Sequence, residues 1–90
     1  MSGEGARIEG RAHLADDSPV IEARVFFGMS PVPLPDIAAL TDDDGRFSLY
    51  APAPGTYELV CHADGLDPAT IPIDVVAGSE RIAVDVELGS

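Results

Sequence analysis

Residues 41–63 read TDDDGRFSLYAPAPGTYELVCHA, and they hold two stretches of strict alternation separated by turn residues. From Arg46 to Ala51 the large apolar side chains are Phe47 and Leu49; from Thr56 to Ala63, Tyr57, Leu59, Cys61 and Ala63 fall on one side. A period of two belongs to a half-buried strand, and no helical period of 3.6 competes with it. Asp42-Asp43-Asp44-Gly45 and Pro52-Ala53-Pro54-Gly55 supply the turns. Short acids bond their own backbone, proline presets φ and glycine accepts positive φ.

The same rhythm extends outward in both directions. Arg7 to Leu14 places Ile8, Gly10, Ala12 and Leu14 on one face and Arg7, Glu9, Arg11 and His13 on the other. After the Asp16-Asp17-Ser18-Pro19 turn, a strand is expected over Val20–Gly28 with Ile21, Ala23, Val25 and Phe27 inward. Residues 29–36 (MSPVPLPD) cannot be a central strand, because alternate prolines remove ladder donors. A short strand over Ile37–Thr41 precedes the acidic turn. Downstream, Ala69–Val75 directs Ile71, Ile73 and Val75 inward, and Pro68 and Pro72 mark it as an edge. Glu80–Leu88 closes the series with Ile82, Val84, Val86 and Leu88 inward. Seven strands in one sheet would leave the apolar face wet, whereas two packed sheets bury it. The expectation is an all-β sandwich, one domain over residues 6–88 with loose ends at 1–5 and 89–90.

The 90 residues carry 16 carboxylates against 5 arginines, a formal charge of −11, and contain no Lys, Asn, Gln or Trp. That field repels phosphate backbones and anionic headgroups, so neither nucleic acid nor membrane is an expected partner. Without lysine there is no Schiff base and no P-loop phosphate clamp. No apolar run reaches the roughly 20 residues that span a bilayer, and the N-terminus lacks a secretory profile. A cytoplasmic location is expected, or an extracytoplasmic one if an export signal has been removed. The abundance of Ala, Gly, Asp and Arg hints at a GC-rich bacterial genome. Cys61 stands alone, so no internal disulfide can form.

Three elements occur in an order that resembles carboxypeptidase regulatory-like (transthyretin-like) domains. They are Ile8-Glu9-Gly10-Arg11 with Pro19-Val20 and Ala23-Arg24-Val25; Thr41-Asp42-Asp43-Asp44-Gly45-Arg46-Phe47; and Pro54-Gly55-Thr56-Tyr57-Glu58-Leu59, followed by Ala63-Asp64-Gly65-Leu66. Leu66, where the family has an aromatic, and the proline-rich 29–36 segment are departures. The resemblance implies a seven-stranded Greek-key β-sandwich of prealbumin type, used as a non-catalytic accessory, with Phe47 and Tyr57 filling the space between sheets.

Candidate chemistry is sparse. Asp42 and Asp44 are the candidate calcium ligands, but no bidentate acid follows at loop spacing. His13 and His62 fall on outward positions, expected in solvent, and with Cys61 they make no zinc spacing. No serine sits in a nucleophile elbow. The related intradiol dioxygenases share a sandwich core and need two Tyr and two His for iron; Tyr50 and Tyr57 read instead as a surface and a core residue. No cofactor and no enzyme activity are expected. Apolar residues at outward or loop positions, namely Phe26, Met29, Val32, Leu34, Tyr50 and Val60, form the expected surface for a protein partner. The expected role is a protein-interaction or scaffold module, a monomer rather than a homodimer, within a bacterial assembly. The alternative is a weak calcium- or glycan-binding module.

Overall fold

Each alternating stretch becomes a strand in the computed structural model, which describes residues 5–34, 38–78 and 80–89. The strands are β1 (Ala6–His13), β2 (Arg24–Met29), β3 (Ala39–Leu40), β4 (Arg46–Ala51), β5 (Gly55–His62), β6 (Ala69–Val75) and β7 (Arg81–Glu87), and no helix occurs among the described residues. They form a three-stranded sheet, β4-β1-β7, and a four-stranded sheet, β3-β2-β5-β6. The result is the expected all-β sandwich. β1 runs antiparallel to β4 and parallel to β7, so the first and last strands lie side by side. β6 is an edge strand, where a proline removes no interior ladder bond.

Register explains the core. In the smaller sheet, Leu49, Ile8 and Ile82 share one row, and Phe47, Gly10 and Val84 the next. In the larger sheet, Ala39, Val25, Cys61 and Ala69 form one inward row, and Phe27, Leu59 and Ile71 another. Tyr57, Ile8, Leu59, Leu88, Val25 and Val86 are fully buried, each contributing about 1.5–3 kcal/mol if the phenol is counted as its hydrocarbon equivalent. The Tyr57 hydroxyl donates to the Ala53 carbonyl at 2.6 Å and accepts from its N–H at 3.1 Å, which anchors the β4–β5 connection. Phe27 packs on Tyr57 with centroids 4.9 Å apart.

Two glycines are dictated by contact. A Cβ at Gly10 would lie 2.5 Å from both Phe47 Cζ and Val84 Cγ2, because side chains from both neighbouring strands occupy its place. Gly45 has φ +79°, and a Cβ there would meet the Ala12 carbonyl oxygen at 2.4 Å. That approach permits the Ala12 N–H to bond the Gly45 carbonyl at 2.7 Å.

The second strand differs from expectation. It begins at Arg24 and not at Val20, and Ile21, expected inward, is 51% exposed. Glu22 has φ +61°, so the alternation breaks there. The chain is crossing between sheets, and Thr41 holds the crossing. Its buried hydroxyl donates to the Val20 carbonyl at 2.7 Å and accepts from the Ala23 N–H at 2.8 Å. Further along β2 a bulge at Gly28 shifts the register, since Phe27 pairs with Leu59 but Met29 with Glu58. The strand expected over Ile37–Thr41 is only Ala39–Leu40; Ile37 lies outside the described residues.

Candidate functional site

The inner row Phe47–Gly10–Val84 lies beside an opening in the surface. Where β3 approaches β4, residues of both sheets line a cleft of about 660 Å³. Phe47, Val84, Ala39 and Leu40 give it apolar walls, and Glu9, Arg11, Asp42 and Arg46 are its charged residues. Leu40 is 62% exposed at the mouth, so part of this apolar surface is wet.

Three of the four charged residues are already engaged. Glu9 takes Arg7 at 3.6 Å and Arg81 at 3.4 Å. Arg11 pairs with the Asp17 carboxylate at 2.9 Å and donates to the Asp44 and Asp17 carbonyls. The Asp42 carboxylate accepts the Arg46 and Asp44 N–H groups, each at 2.9 Å. The Arg46 N–H bond, with that of Asp44 and the Arg46 charge, holds the Asp42 carboxyl below its usual range despite some desolvation. Among the described residues the Arg46 guanidinium has no carboxylate within ion-pair distance. Alternation does not anticipate this cleft, because its residues come from four strands of two different sheets.

The residues singled out in the sequence are placed as follows. Asp42 closes the 42–45 turn through its backbone bonds, and Asp44 is exposed beside it. Among the described residues no three His, Cys, Asp or Glu side chains converge as metal ligands. His62 is half-buried on the outer face of the four-stranded sheet, opposite Arg24. His13, expected in solvent, has only 12% of its side chain exposed. Its Nδ1 lies 2.9 Å from the Leu14 carbonyl and its Nε2 2.7 Å from the Asp85 carboxylate. Two acceptors call for two N–H donors, which only the imidazolium has. The Leu14 carbonyl first, then Asp85, raises the His13 pKa against the opposing effect of burial. Cys61 is buried on an inward row, and desolvation pushes its thiol up.

The six apolar residues do not form one surface. Phe26 and Val60 are paired and half-buried on the outer face of the four-stranded sheet, with Met29 beyond the bulge and 61% exposed. Leu34 packs against the core, and Val32 is half-buried in the loop. Tyr50, 59% exposed, belongs to the other sheet, where it faces Arg7. It lies at the opposite end of β1 from His13, roughly 20 Å away for an extended strand. With Tyr57 in the core and His62 on the far sheet, the two tyrosines and two histidines share no common site.

No family model matches the chain, and no curated protein matches it. Its fold is similar to that of solved structures. A 3-chlorocatechol 1,2-dioxygenase from Rhodococcus opacus 1CP superposes with a TM-score of 0.72 at 15% identity, over 99% of this chain and 61% of that one. A hydroxyquinol 1,2-dioxygenase from Pseudomonas putida DLL-E4 gives 0.71 at 10% identity, over 98% and 57%. A DUF3823 family protein from Parabacteroides merdae ATCC 43184 gives 0.59 at 16% identity, over 98% and 47%. The chain therefore spans about three-fifths of the dioxygenase chains and under half of the third. At these identities the likeness is one of fold. Two of the three are enzymes, so the expectation of a non-catalytic accessory module without enzyme activity does not stand.

Proposed function

We propose that this chain is a small-molecule-binding sandwich, a divergent member of the carboxypeptidase regulatory-like (transthyretin-like) group, and that it holds a single-ring compound in the cleft beside Phe47. The observation that carries this reading is the cleft itself: an opening of about 660 Å³ between two sheets, with Phe47, Leu40 and Val84 on its walls. Ligand sites are concave, mostly apolar and of this size, with a few polar groups to orient the occupant. The ordered motifs from Thr41 to Phe47 and from Pro54 to Leu59 support the group assignment. The dioxygenases with this architecture are named for chlorocatechol and hydroxyquinol, single-ring compounds that the cleft has room for.

Saturation-transfer NMR with catechol and benzyl alcohol tests it. Leu40 is exposed, so Leu40→Asp leaves the core intact while placing charge on the apolar wall. Ring signals are expected to saturate with the wild type and to vanish with Leu40→Asp. Absence of transfer with the wild type, or equal transfer with the variant, overturns the proposal.

A further inference from the structure

We infer that the cleft selects anionic ring compounds, aromatic carboxylates as a class, and that Arg46 is the residue that binds the carboxylate. The inference rests on the cleft being a ligand site. Of its four charged residues, Glu9, Arg11 and Asp42 have their hydrogen-bonding capacity directed at Arg7 and Arg81, at Asp17 and the Asp44 carbonyl, and at two backbone N–H groups. Arg46 is the remaining one. Its side chain is exposed, and its backbone is held by the Asp42 bond whatever the guanidinium does.

Geometry adds a second argument. Arg46 and Phe47 are consecutive in β4, so their side chains leave opposite faces of the strand. The strand lies at the sheet edge, next to β3, so a guanidinium at residue 46 can curl over that edge to the mouth of the cleft. An occupant with its ring against Leu40, the exposed wall, would present a substituent at that mouth. A planar guanidinium matches a carboxylate through two parallel hydrogen bonds.

Net charge sharpens the claim. At −11 the molecule as a whole repels an anion, so any preference for carboxylates must come from a local contact and not from the overall field. Ala77 provides the control: it is exposed in the turn after β6 and lines no part of the cleft, and Ala77→Asp makes the net charge one unit more negative, as Arg46→Ala does.

The experiment titrates the full chain with benzoate and with benzyl alcohol by NMR, for wild type, Arg46→Ala and Ala77→Asp, with folding checked by thermal melts. Benzoate is expected to bind the wild type more tightly than benzyl alcohol. Arg46→Ala is expected to weaken benzoate by about tenfold or more, the usual consequence of losing a charged hydrogen-bonding partner. It should leave benzyl alcohol unchanged, and Ala77→Asp should leave both unchanged. Equal affinities of the wild type for the two probes would overturn the inference while leaving the cleft as a ring site. So would an equal loss of benzoate with Ala77→Asp, since that is a long-range charge effect. If neither probe binds, the cleft reading itself fails and the inference fails with it.

Discussion

Replacing Thr41 by valine removes one oxygen from the interior and keeps nearly the same shape. Thr41 is 3% exposed, and its hydroxyl serves both Val20, at 6% exposure, and Ala23, at 0%. The backbone bonds from Thr41 N–H to the Ala23 carbonyl and from Glu22 N–H to the Thr41 carbonyl remain in the variant. What is left is one buried N–H and one buried carbonyl without the partner they had. Each such group costs about 1–3 kcal/mol and the added methyl returns about 1, so the central expectation is a loss of about 3 kcal/mol. For a domain of this size that lowers the melting midpoint by about 12–24 °C. Thr41→Ser keeps both bonds and loses a methyl, at about 1 kcal/mol. Urea and thermal denaturation of the three proteins should rank them wild type, then serine, then valine, with the urea m-value unchanged. If burial of apolar volume governed the site, valine would match or exceed the wild type. A valine variant at least as stable as the serine variant would refute the assignment of Thr41 as the hydrogen-bonded clamp of the crossing.

Four further outcomes follow from the same geometry. Because the folded state raises the His13 pKa above its ordinary 6.5, the stability His13 contributes is fully present below pH 6.5 and is lost as pH rises through the raised value. The urea midpoint of the wild type should therefore fall between pH 6 and 8.5, and His13→Gln should remove that slope; an unchanged slope would exclude His13 as its source. Gly10→Ala should destabilise by about 1–3 kcal/mol, since Phe47 and Val84 must both shift, and a melt within error of wild type would show that they do not fill the position. Tyr57→Phe should cost about 1–2 kcal/mol through loss of the two Ala53 bonds, measured by urea titration. The Cys61 thiol, buried and shifted upward, should react with a thiol reagent only at the rate of opening or unfolding, and rapid labelling under native conditions would contradict its burial.

The strand interiors were legible because a two-residue period carries its own face assignment. Ile8, Phe47, Leu59, Ile73 and Val86 all lie on the expected side, and the turn at Gly45 has the positive φ its neighbours imply. The period does not say which sheet a strand joins. Phe26 and Tyr50 both read as outward, yet their faces look in opposite directions because β2 and β4 belong to different sheets. The start of β2 was illegible for a related reason. Ile21 to Val25 alternates in polarity, but Thr41, far along the chain, sets the path of this segment through tertiary hydrogen bonds. The solvated reading of His13 fails on Asp85, brought alongside by the parallel pairing of β1 with β7. The cleft depends on the placing of four strands from two sheets, which leaves no local mark.

The parallel seam between β1 and β7 also bears on how the molecule is made. β1 is the middle strand of its sheet, yet one of its two neighbours, β7, is synthesised after the other six strands. Until then the nascent chain can pair β1 with β4 but leaves its other edge open, a template for stray strands. Sequence-distant pairing of this kind slows folding to milliseconds or seconds. Biogenesis of this small sandwich thus waits on residues Arg81–Glu87, and a ribosome stalled before β7 would display a sticky, half-built sheet.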